Sequence, residues 1–111
     1  MTYKELYTKY PKVLRAYPGI GNLCGIPGEI GKATTIRYEK AGSRWREVSR
    51  ETEDITSDYY LNSVTAMPFF RALGGYERVE MGYSVLGYLP LRLTSISPDR
   101  QQRTVREFTI L

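Results

Sequence analysis

The residue types that most often carry catalysis are scarce in this sequence of 111 residues. It contains no histidine and a single cysteine, Cys24. Without an imidazole, Ser–His–Asp triads, histidine general bases and ordinary His/Cys zinc sites are excluded. Because no histidine can deprotonate it, we predict that Cys24 is a small, buried apolar residue rather than a nucleophile. The sequence therefore predicts a protein without enzymatic activity, bound metal or cofactor.

Carboxylates and glycines offer two further kinds of site. Five acidic residues fall within residues 47–58, beside a predicted strand end, where a solvated acidic edge is the expected arrangement. The stretch 18–32 holds five of the ten glycines, but it matches neither the dinucleotide fingerprint nor the P-loop. One alternative to a packed connector remains, which is a backbone cradle for an anion. Its candidate anion-binding residues are Gly28, Gly31 and Lys32.

Tyrosine is the residue type best suited to binding in this chain, which contains ten tyrosines. Its ring can be buried while its hydroxyl bonds a partner, and it is enriched at protein interfaces. Tyr83 and Tyr88 flank a predicted hairpin turn, where exposed rings can anchor a contact. Tyr59 and Tyr60 are adjacent on a predicted helix, so at most one of them belongs to the core. The candidate partner-binding residues are Arg37, Arg44, Trp45, Arg46, Tyr59, Tyr83 and Tyr88.

The charge distribution indicates a second class of partner. The formal net charge is +4, and residues 1–46 carry nine lysines and arginines against three glutamates. Arg44, Trp45 and Arg46 combine cationic groups with a stacking surface, as proteins that bind single-stranded nucleic acid do. The alternative is a hairpin edge with a packed tryptophan and solvated arginine side chains. Because acids are interleaved with the basic residues, we expect only weak, non-specific nucleic-acid binding from this half.

Two short helices are predicted at the start of the chain. Thr2 and Glu5 form a capping box, which favours a helix over 3–9, and a second helix over 11–17 has a proline in its first turn. Three- and four-residue spacing predicts that their aromatic residues form a stripe facing the core. The residues of this stripe are Tyr3, Tyr7, Tyr10 and Tyr17. The density of glycine and proline over residues 18–32 predicts no regular element there.

The remaining chain predicts strands around one longer helix. Alternation favours a hairpin of strands 34–39 and 45–50, and turn residues separate a three-stranded meander over 76–85, 88–96 and 103–110. Thr56 or Ser57 is the predicted cap of the helix between them, Pro68 is expected to kink that helix or split it in two, and Gly74–Gly75 to end it. Pro90 cannot donate to a strand ladder, which favours a sheet edge or a bulge at that point. Together these elements predict a single α+β domain spanning 1–111, with helices on one face of an antiparallel sheet.

In the general character of its sequence, the last third of the chain resembles small orphan proteins of Gram-positive phages and mobile elements. The resemblance lies in the stretch from Gly74-Gly75-Tyr76-Glu77-Arg78-Val79 to Thr94-Ser95-Ile96-Ser97-Pro98-Asp99. That class includes anti-CRISPR proteins and other inhibitors of host defence. The resemblance implies a stoichiometric inhibitor that docks on a larger enzyme, such as a CRISPR effector or another defence complex. It transfers no functional residue to this chain.

The chain departs from many such inhibitors in one respect, because they are acidic and imitate DNA whereas this protein is net basic. The acidic segment 47–58 is too short to imitate a duplex, so docking on a protein surface or an allosteric site fits better. No window approaches the roughly 18 apolar residues of a membrane span, and the first residues lack the apolar stretch of a signal peptide. We therefore expect a protein-binding module in the cytoplasm of a host bacterium, with nucleic-acid binding as the alternative.

Overall fold

The computed structural model describes residues 1–66 and 76–111. Helix α1 spans Tyr3–Lys9 and begins where the Thr2 hydroxyl accepts a hydrogen bond from the Glu5 amide. Helix α2 spans Pro11–Ala16, with its proline in the first turn, where no helical hydrogen bond is lost. Helix α3 spans Ser57–Thr65, and the Thr56 hydroxyl caps it by accepting from the Tyr59 amide. The predicted kink at Pro68 and helix end at Gly74–Gly75 lie outside the described residues.

All five strands form one antiparallel sheet in the order β2-β1-β5-β4-β3. Their bounds are Glu29–Ala41 for β1, Arg44–Thr56 for β2, Tyr76–Ser84 for β3, Gly87–Ile96 for β4 and Gln102–Ile110 for β5. The predicted α+β class is confirmed. The three C-terminal strands are not a separate meander, however, because β5 also pairs with β1 from Gly31↔Ile110 to Glu39↔Gln102.

Pro90 lies beside an irregularity in the pairing of β3 with β4. Glu80 pairs with Arg92 and Met81 with Pro90, so Leu91 is the extra residue. On its other side, β4 pairs with β5 only from Arg92 onward. The proline therefore sits at a bulge, as its missing donor predicts.

The helices cover one face of the sheet and form the core with it. Tyr60 of α3 is fully buried, and its ring meets Phe108 of β5 edge to face with centroids 4.8 Å apart. The Tyr60 hydroxyl donates to the carbonyl of Pro90 at 2.7 Å, and burial raises the pKa of this phenol. Among the described residues, no helix is long and apolar enough to cross a membrane.

The predicted tyrosine stripe of the first two helices is wrong in its first half. Tyr3 and Tyr7 are 54% and 63% exposed, and Leu6 is the buried residue of α1. A helix of seven residues presents only a narrow face to the core, and Leu6 occupies it. Tyr10 and Tyr17 are partly buried and pack against the core, as the spacing predicts.

The glycine-rich segment contains regular structure, contrary to the prediction. Residues Pro18–Leu23 form a 3-10 helix, and β1 begins at Glu29. Gly19 permits this helix to approach β4 closely, since a Cβ there would lie 2.3 Å from the carbonyl oxygen of Tyr88. The Asn22 side chain donates to the carbonyl of Leu86 at 2.8 Å. The segment is therefore docked on the turn between β3 and β4.

Replacing Tyr60 by phenylalanine tests the buried hydroxyl. Y60F leaves the Pro90 carbonyl without its donor, so we expect the free energy of unfolding to fall by about 1–2 kcal/mol. Urea denaturation measures this fall. Y59F is the control, because Tyr59 is partly exposed and its hydroxyl forms no hydrogen bond with a described residue. Equal stabilities of Y60F and the native protein would contradict the role given to this bond.

The stability difference between the native protein and Y60F should also depend on pH. Burial raises the folded-state pKa of Tyr60 above its ordinary value near 10. Above about pH 10 the unfolded phenol loses its proton while the folded one keeps it, so the native protein loses stability as pH rises. Phenylalanine does not titrate. The gap measured at pH 7 should therefore narrow above pH 10, and a constant gap between pH 8 and pH 11 would contradict this linkage.

Two glycines near the start of β1 should differ in their tolerance of alanine. Gly28 has φ +76°, and a Cβ there meets nothing within 4 Å, so G28A incurs only backbone strain of about 1–2 kcal/mol. A Cβ on Gly31 would lie 1.9 Å from the carbonyl oxygen of Thr109. G31A must therefore push β1 away from β5, and we expect the larger loss of thermal stability. The reverse ranking of the two melting temperatures would contradict this packing.

Candidate binding surfaces

One face of the sheet carries no helix within the described residues, and we call it the open face. Side chains alternate along a strand, and Ala33 of β1 lies in the core beneath the helices. Thr34 and Ile36, one and three residues further along β1, must therefore point to the opposite side. Ile36 pairs with Val105 of β5, and these two apolar side chains are 2% and 1% exposed. They belong to this second face rather than to the main core cluster.

Ion pairs neutralise much of the open face. Lys32 contacts Asp54 at 2.7 Å, and this hydrogen bond raises the pKa of the lysine. Arg50 contacts Glu47 at 2.8 Å and lowers the pKa of that carboxylate. A second group of ion pairs joins β3, β4 and β5. Glu80 lies 3.2 Å from Arg78, and Arg92 lies 3.5 Å from Glu80 and 3.6 Å from Glu107. Being exposed, these pairs contribute little to stability.

Four residues near the hairpin end of this face form what we call the aromatic–cation cluster: Tyr38, Lys40, Trp45 and Arg103. The Arg103 guanidinium lies 4.3 Å from the Tyr38 ring centroid and 5.2 Å from that of Trp45. The Lys40 ammonium lies 4.8 Å from the Trp45 centroid. These distances are within the range of cation–π attraction. Three strands, β1, β2 and β5, supply the cluster.

The positive charge of this cluster is not balanced by carboxylates. Neither Arg103 nor Lys40 forms an ion pair with any acidic residue that the structure describes. The Arg103 Nε is buried and has no hydrogen-bond acceptor among the described atoms. The contacts of this guanidinium that the structure describes are those with the Tyr38 and Trp45 rings.

The structure separates residues that the sequence analysis grouped. Trp45 points to the open face, whereas Arg44 and Arg46 flank it on β2 and therefore point to the other side. Arg46 contacts Glu39 at 3.3 Å there. Arg37 also lies on that opposite side, since it is one residue removed from Ile36. Because consecutive strand residues alternate, Arg44 and Arg46 lie on one side of β2 and Trp45 on the other.

Sequence reasoning missed Tyr38, Lys40 and Arg103. The alternation of Thr34, Ile36, Tyr38 and Lys40 along β1 was a usable local signal that these side chains share a face. Nothing local connects them to Arg103, which is 65 positions from Tyr38 and meets it only through the pairing of β1 with β5.

The candidate anion-binding residues lie at the start of β1 and just before it. Gly28 precedes β1, and Gly31 and Lys32 are consecutive residues within that strand, so they face opposite sides of the sheet. Lys32 is engaged by Asp54. Cys24 is only partly buried, less than predicted, and burial raises the pKa of its thiol.

The Tyr59 ring makes a contact within the fold, with the side chain of Arg106. Of the adjacent pair Tyr59 and Tyr60, only Tyr60 is fully buried in the core, in keeping with the prediction that at most one of them belongs there, and Tyr59 is partly buried. The Arg106 guanidinium lies 5.4 Å from the Tyr59 ring and also donates to the Ser63 and Thr35 hydroxyls. Arg106 thereby links α3 to β1 from its own position on β5, and Tyr59 forms part of that link.

A second surface surrounds the 3-10 helix, and we call it the tyrosine surface. The structure describes seven exposed large hydrophobic side chains. Five of them lie on α1 or at the turn between β3 and β4, the two elements that flank the 3-10 helix: Tyr3, Tyr7, Tyr83, Val85 and Tyr88. The rings of Tyr83 and Tyr88, both candidate partner-binding residues, are 4.7 Å apart.

The α1–α2 side of the tyrosine surface is grooved and basic. Tyr3 packs over Gly21 of the 3-10 helix, where a Cβ would lie 2.9 Å from its ring. Tyr3 and Tyr7 line an open groove of about 470 Å³ together with Pro11, Leu14 and Arg15. The two helices carry four cations, which form no ion pair with the described carboxylates: Lys4, Lys9, Lys12 and Arg15.

Neither surface has the convergent donor set of a metal centre. Within residues 1–66 and 76–111, no three histidine, cysteine or acidic side chains come together in a way that could hold an ion. No protein-family model, curated protein or solved structure matches this chain. The open face and the tyrosine surface are therefore the features of this chain that bear on its function.

Proposed function

We propose that this protein is a non-enzymatic protein-binding module that docks its partner on the tyrosine surface. The observation that carries the proposal is that five of the seven exposed large hydrophobic side chains that the structure describes lie on the two elements that flank the 3-10 helix. Tyr83 and Val85 are 85% and 79% exposed at one turn, and Tyr7 is 63% exposed on α1. Clustered exposed apolar groups typically mark interaction sites.

Tyrosine gives such a surface both affinity and a defined orientation. Its ring buries a large apolar area with few rotatable bonds, while its hydroxyl can pair with a polar group of the partner. The Tyr83 and Tyr88 rings already contact each other, so part of the ordering cost of binding is met before the partner arrives. The close docking of the 3-10 helix at Gly19 places this turn on a fixed support.

The charges beside these tyrosines define the partner's chemistry. Helices α1 and α2 carry four cations and only one acidic residue, Glu5. A partner that presents an apolar anchor within an acidic rim would be attracted at long range and held in register. We therefore propose an acidic protein surface as the occupant.

The resemblance to phage and mobile-element inhibitors supplies the first partner to test. An inhibitor that acts by stoichiometric docking needs a binding surface and no catalytic residues, in keeping with a chain that has no histidine. We propose that this protein inhibits a host defence nuclease complex, with a CRISPR effector as the first candidate. Protein docking explains the net basic charge better than DNA imitation does.

Site-specific photo-crosslinking tests the proposal. A benzophenone amino acid is placed at position 7 or 83 on the tyrosine surface, or at position 48 as the control. Val48 is also an exposed hydrophobic residue, 45% exposed, but it lies on β2 far along the sheet from the 3-10 helix. Purified CRISPR effector and host extract are the two sources of partner. We expect one acidic protein to be captured from positions 7 and 83 and not from position 48.

The captured protein is then purified and its affinity measured by calorimetry. Y7A and Y88A should each raise Kd at least tenfold, as truncation of an interface anchor does, while V48A should leave Kd unchanged. Melting temperatures confirm that the variants are folded. Capture from position 48 alone, or a Kd that responds to V48A and not to Y7A or Y88A, would overturn the proposal.

A further inference from the structure

We propose that the aromatic–cation cluster of the open face is a second binding site, whose ligand is single-stranded nucleic acid. The inference goes beyond the proposed protein-binding function and uses different residues on the opposite side of the sheet from the helices. It rests on three features of the described residues: stacking groups, uncompensated positive charge and an adjoining hollow.

The stacking groups come from neighbouring strands of an open sheet. Trp45 and Tyr38 lie on β2 and β1. The flat guanidinium of Arg103 on β5 reaches both rings, 4.3 Å from the Tyr38 centroid and 5.2 Å from the Trp45 centroid. Aromatic rings and arginine planes are the surfaces on which unpaired bases stack. Stacking does not depend on base identity, so the site should tolerate many sequences.

Charge selects the ligand. Elsewhere on the open face, arginines and lysines are paired with carboxylates, as in Lys32 with Asp54 and Arg50 with Glu47. Arg103 and Lys40 have ring contacts and no ion pair with a described acid. A ligand that offers both a π-face and a negative charge satisfies these groups together. A nucleotide does so through its base and its phosphate.

A hollow beside Arg103 could hold the next nucleotide of a bound single strand. It has a volume of about 250 Å³, and Thr94, Ile96 and Val105 line it together with charged residues of β3 and β4. Arg103 lines it too, so the hollow and the stacking groups share one side chain. A base stacked at the cluster would therefore have its neighbour beside a concave surface with an apolar floor and the Arg92 and Glu80 side chains in reach.

The same geometry disfavours a duplex. Bases in a duplex are stacked on each other, so their faces cannot meet Trp45 or Arg103, and within residues 1–66 and 76–111 the open face presents no helix to enter a groove. The structure thus assigns the preference to single strands, whether RNA or DNA.

Fluorescence anisotropy with labelled oligonucleotides tests the inference on the full chain. The probes are a 12-nucleotide uridine RNA, a 12-nucleotide thymidine DNA and a mixed-sequence DNA duplex of the same length, each at several salt concentrations. We expect at least one single strand to bind more tightly than the duplex. W45A should weaken that binding about tenfold with little change in its salt dependence, because it removes a stacking surface. R103A should weaken it and also reduce the salt slope by about one, because it removes a charge.

The matched control is R46A. It removes the same charge from the adjacent position of β2, on the other side of the sheet from Trp45. Its affinity should remain close to that of the native protein. Three results for the variants and probes would overturn the inference: equal weakening by R46A and R103A, no effect of W45A, or equal affinity for duplex and single strands. The absence of binding to either single strand at low salt would overturn it too. Y7A and Y88A should leave oligonucleotide affinity unaltered, so this test fails or succeeds independently of the protein-binding proposal.

Discussion

The antiparallel pairing of β1 with β5 is the contact on which the rest of this structure depends. It joins a hairpin from the first half of the chain to strands from the second half, over nine residue pairs. On the helix side it places Ala33 beside Phe108, against which Tyr60 packs. On the open face it places Tyr38 beside Arg103. Without this pairing, neither the core nor the aromatic–cation cluster would exist.

Local patterns in the sequence predict the elements of this fold well and their assembly poorly. The capping box at Thr2, the proline that opens α2 and the bulge at Pro90 all follow from the chemistry of single residues. The joining of hairpin and meander into one sheet does not, because strands far apart in sequence pair through backbone groups that every residue carries. β1 and β2 are also longer than predicted, because the glycines of residues 18–32 conceal the start of β1 and the acidic stretch 51–54 conceals the end of β2.

The candidate sites show the same division between local and non-local information. Tyr83 and Tyr88 could be found from the sequence because a short turn brings them together. Arg44 and Arg46 were grouped with Trp45 by proximity in sequence, but alternation along β2 separates them. Arg103 could not be identified, since its importance comes from a strand pairing that no nearby residue signals. Tyr3 and Tyr7 were misplaced because helical spacing identifies a face without showing which face a short helix buries.

The open face carries no helix of the described residues, yet its apolar centre is buried. Ile36 and Val105 supply its apolar centre and are almost fully buried without a covering helix among the described elements. Long charged side chains on the neighbouring strands can provide this cover, because their aliphatic stems lie over apolar groups while their heads remain in water. A cover of this kind consists of flexible side chains rather than a packed layer, so a ligand could rearrange it without disturbing the core on the other side of the sheet.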